Sequence, residues 1–284
     1  MFRTRLISGI ILVAVMLALI IPGGIVLLIG SLVISLIGLM EFYRVLGVNK
    51  KAAGIAGYTA AVLYYVTLFF VPMQPEWFIL ALAVGLLIAV LAFYVFTYPA
   101  YHAQQILGLF FGFFYVPLLL SYIYRTRELV FFSKSTGAYV EIGAYLVWLI
   151  FLSSWGSDTC AYCVGMLFGK HKMAPVLSPK KTWEGAAGGV AGAAVLTLIY
   201  SLVFQRTMGL STPQIIGLTL VGAAGAVVSM IGDLAASAIK RNYDIKDYGK
   251  LIPGHGGILD RFDSVIFTAP AVYYLAVILL QEMA

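Results

Sequence analysis

Residues 214–241 read Q-I-I-G-L-T-L-V-G-A-A-G-A-V-V-S-M-I-G-D-L-A-A-S-A-I-K-R. The run is apolar or small at nearly every position and shows no period-two alternation. A stretch of about 20 such residues spans the hydrocarbon core of a bilayer as a helix. Helices and closed barrels are the structures that satisfy their backbone groups in lipid, and an unbroken apolar run selects the helix. Placed on a helix, Ser229, Gly232, Asp233, Ala236, Ser237 and Lys240 fall at i, i+3, i+4, i+7, i+8 and i+11, on one face. A small and polar stripe is costly against lipid, so this face is expected to line a cavity.

The rest of the chain shows the same pattern. Hydrophobic residues make up 62% and charged residues 11% of the 284, with a mean hydropathy of +0.99; charged residues are about 25% of a soluble protein. The reading is an all-α, polytopic integral membrane protein with about nine segments, at 6–21, 25–44, 55–72, 77–98, 104–124, 141–167, 185–205, 214–236 and 264–281. Arg3 and Arg5 ahead of an apolar run resemble a signal peptide, but Pro22-Gly23-Gly24 leads straight into the next run without an A-x-A site, so a retained first helix is expected. With the N-terminus inside, fourteen of the 18 lysines and arginines fall on the inner side, and Arg125, Arg127, Lys134 and Arg206 fall outside. Positive charge collects on cytoplasmic flanks, so the N-terminus and the polar connections 168–184 and 237–263 are placed in the cytoplasm.

Two parts are expected: a scaffold of membrane helices at 1–140, and a catalytic bundle at 141–284 that carries both polar connections. Gly185 with Gly189, and Gly188 with Gly192, form overlapping G-x-x-x-G pairs, which let helices approach closely in lipid. Cys160 and Cys163 have neither a second ligand pair nor a redox-fold context and read as packed thiols. Nothing resembles a nucleic-acid module, so a nucleotide would enter as a small substrate.

All six aspartates lie within 158–263. Asp158 and Asp233 stand inside apolar segments, where a carboxylate is a functional candidate by default. A structural carboxylate paired to an internal lysine is the alternative for each. Asp260 and Asp263 share a face if a helix has begun, and that spacing suits Mg²⁺; stabilising the helix N-terminus is the competing use. Gly256 and Gly257 beside His255 permit a tight turn, and the N-terminus of the next helix offers N–H groups to an anion. His255 reads either as a phosphate contact or proton donor, or as a turn residue. Lys180 and Lys181 read as phosphate contacts; Thr182 reads as the N-cap of the next segment, with Glu184 in its first turn.

Residues 237–263, S-A-I-K-R-N-Y-D-I-K-D-Y-G-K-L-I-P-G-H-G-G-I-L-D-R-F-D, fit the pattern S-x-[apolar]-K-R-x4-K-D…H-G-G-[apolar]-x-D-R-[apolar]-D without a gap. With D-T-C-A-Y at 158–162 and S-P-K-K-T-W-E-G at 178–185, this resembles the phosphatidate cytidylyltransferase (CDP-diacylglycerol synthase) family. The resemblance implies that CTP and phosphatidic acid are condensed to CDP-diacylglycerol and pyrophosphate in a bacterial inner membrane, with the site facing the cytoplasm. It implies Mg²⁺ and room for a second cation, and a homodimer is an assembly left open. On this reading Asp158, Asp233, Asp260 and Asp263 supply the metal site. Lys240, Arg241, Lys246, Asp247, His255 and Arg261 are catalytic, and Lys180, Lys181, Thr182, Ser237, Gly256 and Gly257 hold phosphate. A cation-coupled transporter and a membrane phosphotransferase with another lipid acceptor are the rival readings.

Overall fold

The computed structural model describes residues 2–71, 76–133 and 138–283. The helices in chain order are α1 (Phe2–Ile20), α2 (Gly24–Val45), α3 (Ala52–Phe70), α4 (Glu76–Thr97) and α5 (Ala103–Phe113). A π-helical turn, Phe114–Leu118, joins α5 to α6 (Leu119–Arg127), and a second, Leu152–Gly156, joins α7 (Gly143–Phe151) to α8 (Ser157–Phe168). Then come α9 (Trp183–Val203), the short α10 (Gln205–Met208), α11 (Thr212–Asn242) and α12 (Leu259–Met283). Each predicted segment coincides with a helix, or with a helix pair joined by a π turn. Lys134, counted on the outer side, lies outside the described residues.

Among the described residues seven helical spans are long and apolar enough to cross a membrane. The protein is therefore an integral membrane protein, but nine crossings is more than the criterion supports. Residues 143–168 are interrupted by the polar run Ser153-Ser154-Trp155-Gly156-Ser157-Asp158, and α1 contributes only the shorter apolar stretch Ile7–Ile20. Small antiparallel hairpins qualify the all-helical reading: β1 (Phe131–Ser133) pairs with β2 (Ala138–Val140), and β3 (Lys172–Ala174) pairs with β4 (Ser178–Thr182). The connection 168–184 is thus a folded hairpin whose second strand runs into α9.

The chain forms two compact units. One comprises Met1–Ser121 and Asp247–Asp260, the other Tyr122–Lys246 and Arg261–Ala284. The polar residues 247–260, expected to belong to the C-terminal half, therefore pack with the N-terminal helices. Tyr43, Tyr64 and Tyr65 are among the largest side chains buried in the first unit, and their hydroxyls are bonded within it: Tyr43 donates to the Leu109 carbonyl at 3.0 Å, while Tyr65 pairs with Ser35 at 2.8 Å and Tyr64 with Ser121 at 2.9 Å. Such bonds remove the cost of a polar group in hydrocarbon. Pro117 sits in the first π turn, which accommodates the missing N–H.

In the second unit α9 packs along both α8 and α11. A Cβ built on Gly185 would lie 2.9 Å from the Ala161 carbonyl oxygen, and one on Gly189 would lie 2.9 Å from Ser157 Oγ. The G-x-x-x-G pairs are packing surfaces, as expected. The π turn at Leu152–Gly156 rotates Ser157, Asp158 and Ala161 about the helix axis relative to α7, because an inserted residue turns every side chain beyond it. Ser157 is buried against α9, whereas Asp158 and Ala161 turn toward a cavity.

Candidate active site

A cavity of about 460 Å³ opens in the second unit between α8, the β3–β4 hairpin, the start of α9, and α11. Its walls differ in character. Asp158, Lys180, Lys181 and Asp233 supply charge, while Tyr162, Met166, Met173 and Met230 supply apolar surface. The sequence builds this from three local devices. The β3–β4 hairpin brings Lys180 and Lys181 beside the helices, and Thr182 ends the strand as the N-cap of α9, its Oγ1 accepting the Gly185 N–H at 3.1 Å. Glu184 fastens the start of the hairpin by accepting the N–H groups of Lys170 and His171, and it meets His171 Nδ1 at 2.6 Å. On α11 the predicted stripe holds: Ser229, Gly232 and Ala236 are buried, and Asp233, Ser237 and Lys240 are half-buried.

Lys181 Nζ lies 2.5 Å from Asp233 Oδ2, an ion pair formed where both side chains are largely shielded. Lys240 Nζ lies 3.9 Å from Asp263 Oδ2, and Asp263 Oδ1 accepts the Ser264 N–H at 2.8 Å. Asp233 repels both Asp158 and Asp263, and Arg261 attracts both. The charges of Asp158, Asp233, Asp263, Lys181, Lys240 and Arg261 thus belong to one electrostatic neighbourhood. Trp155 fixes the start of α12 within this unit: its Nε1 donates to the Arg261 carbonyl at 3.2 Å and its ring meets Phe262 edge-on at 6.0 Å. Asp233 pairs with a lysine and also lines the cavity.

Other expected site residues lie elsewhere. Arg241 and Lys246 are exposed, and Arg241 Nη1 reaches the Ile245 carbonyl of its own loop at 3.4 Å. Asp247, His255, Gly256, Gly257 and Asp260 belong to the first unit. There Gly254 and Gly256 have φ of 77° and 88°, and the His255 backbone N–H donates to the Ile252 carbonyl at 2.9 Å.

At the entry to α12, where N–H groups are expected to face a substrate anion, the chain's own carboxylates take those of Gly257, Ile258 and Leu259. Glu41 accepts the N–H groups of Ile258 at 3.1 Å and Leu259 at 2.8 Å, and Asp260 Oδ2 accepts those of Gly257 at 2.9 Å and Tyr248 at 2.8 Å. Glu41 had no place among the sequence candidates. The signal was present, because M-E-F-Y at 40–43 puts an ionisable residue inside an apolar segment.

Among the described residues no three His, Cys, Asp or Glu side chains form a ready-made metal cage. The acids of the second unit instead fit a cation that takes one or two protein carboxylates and completes its shell with water and phosphate oxygens. Mg²⁺ binds in that manner.

Comparison with known sequences places these features in a family. The chain matches the cytidylyltransferase family over residues 3–279. It is 31% identical to a phosphatidate cytidylyltransferase of Bacillus subtilis, over 96% of this chain and 97% of that one. It is 34% identical to one from Synechocystis sp., over 98% of each chain. A third, from Thermotoga maritima, is 37% identical over 56% of this chain and 58% of its own length.

Proposed function

The chain belongs to the cytidylyltransferase family, and on that premise we propose that it transfers the cytidylyl group of CTP to phosphatidic acid, giving CDP-diacylglycerol and pyrophosphate. One observation carries the choice of acceptor: the cavity lining combines the charges of Asp158, Lys180, Lys181 and Asp233 with the apolar surface of Tyr162, Met166, Met173 and Met230. An anionic headgroup with acyl chains matches that mixture of character, and a soluble acceptor does not.

A phosphomonoester is already anionic at neutral pH, so its oxygen attacks without a strong general base. The new bond joins that oxygen to the α-phosphorus of CTP; the bond from the α-phosphorus to the bridging oxygen breaks, and pyrophosphate leaves with the electron pair. The difficulty is bringing two polyanions together and stabilising the leaving group. Lys180 and Lys181 face the cavity and hold phosphate oxygens, with Asp233 keeping Lys181 in place. Lys240 and Arg261 supply the balancing charge around Asp263. One or two of the carboxylates of Asp158, Asp233 and Asp263 would hold Mg²⁺, with water and phosphate oxygens completing its shell. Bound there, the ion would offset the triphosphate charge and orient the phosphoryl group. Arg241 and Lys246 serve as outer contacts, and Asp260 is assigned to the turn that its hydrogen bonds build. The positive flanks support a site on the cytoplasmic side of a bacterial inner membrane.

The test is pyrophosphate release by detergent-purified protein given labelled CTP and phosphatidate. Release that requires both substrates and Mg²⁺, and stops on chelation, is expected. CTP consumption that ignores phosphatidate, or accepts any lipid alcohol in its place, overturns the reading.

A further inference from the structure

We propose that Glu41, on a helix of the N-terminal unit, is a positioning residue for this transferase: it sets where α12 begins and hence where Arg261 and Asp263 point. The inference rests on the function proposed above. Glu41 is 2% exposed, one turn from the end of α2. Its Oε1 accepts from Ile258 and its Oε2 from Leu259, so both oxygens are committed to the entry of one helix. The first N–H groups of a helix have no partner within it, and a carboxylate there is also favoured by the helix dipole.

The surrounding sequence is shaped to this carboxylate. A Cβ on Gly249 or on Gly257 would collide with the Glu41 carboxyl group, so glycine at both positions lets the loop close around it. Asp260 completes the turn from the other end by holding Gly257 and Tyr248. The loop 248–259 is therefore wrapped on two carboxylates, one from each end of the sequence. Arg261 and Asp263 stand two and four residues past Leu259, in the first turns of α12. A first turn that frays for want of its anchor would carry both side chains out of place, Asp263 from beside Lys240, without any change in either. Glu41 touches no reacting group; it acts through the first turn of α12.

Glu41→Gln keeps one acceptor oxygen and sets an amide NH₂ against the second N–H, and Glu41→Asp keeps the charge but shortens the reach. The expected result for Glu41→Gln is kcat per folded molecule down 10-fold or more, KM for CTP within about 2-fold of wild type, and amide exchange at Ile258 and Leu259 at least 10-fold faster. Exchange along the rest of α2 should be unchanged, and Glu41→Asp should fall between the two. A stability role alone would lower the folded fraction and leave kcat per folded molecule intact, and that result, or wild-type exchange at Ile258 and Leu259, overturns the proposal. If the wild-type protein releases no pyrophosphate, the transferase reading fails, and the exchange comparison still decides whether Glu41 fixes the turn.

Discussion

Asp260 and Asp263 stand three residues apart and look interchangeable in sequence, yet their surroundings assign them different work. Asp260 Oδ2 receives two backbone N–H groups and is buried. A hydrogen bond to a charged group contributes about 1.5–3 kcal/mol. Asp260→Asn should therefore destabilise the protein by about that amount, seen as a lower thermal midpoint in detergent. Asp263 instead shares its neighbourhood with Asp233, which repels it. Asp263→Asn relieves that repulsion and can still accept from the Ser264 N–H through its carbonyl oxygen. It should leave the midpoint unchanged or higher while turnover falls by about 10²-fold, the scale of losing one preorganised electrostatic contact. Equal losses of stability in the two variants would contradict this division. The sequence distinguishes the two acids poorly because the partners of Asp260 are backbone amides, which have no residue type to read. Asp233 was legible because the polar stripe of α11 has a helical period.

At the level of elements, the helices could be read because their apolar runs are long, and the close packing of α9 on α8 because glycines recur at four-residue spacing. The π turn at Leu152–Gly156 and the β3–β4 hairpin were not legible: a one-residue insertion leaves composition untouched, and the hairpin strands are short and mixed in polarity. The packing itself gives a paired test. Gly185→Ala puts a Cβ 2.9 Å from the Ala161 carbonyl oxygen, a backbone atom that cannot rotate aside. Overpacking of this kind costs about 1–3 kcal/mol, and turnover should fall as well because Gly185 also lines the cavity. Gly85→Ala in α4 meets nothing within 4 Å, and replacing glycine by alanine inside a helix gains about 0.5–1 kcal/mol. Thermal unfolding in one detergent should move the two variants in opposite directions. A shared direction would mean that the α8–α9 contact yields without strain.

For the molecule as a whole, the two-part division read from sequence puts residues 247–260 with the C-terminal half, whereas they pack with the N-terminal helices. Hydropathy cannot show that a polar loop returns to a carboxylate more than 200 positions earlier. Orientation in the membrane is the remaining large-scale inference, and it depends on the uneven placement of 18 positive charges. The hairpin tip makes it measurable. Val176 is 85% exposed, so a cysteine there is open to a bulky reagent and disturbs no packing. Cys160 and Cys163 must first be replaced by alanine; the side chain at 160 lies against Gly192, and a smaller one still fits there. In that background Val176→Cys should react with a membrane-impermeant maleimide in inside-out vesicles and stay unlabelled in intact cells. Substrate access depends on the same geometry, because the hairpin bearing Val176 also carries Lys180 and Lys181 into the cavity. Labelling from the outside would put those lysines on the face where CTP is absent, and a cytidylyltransferase could not work in that orientation.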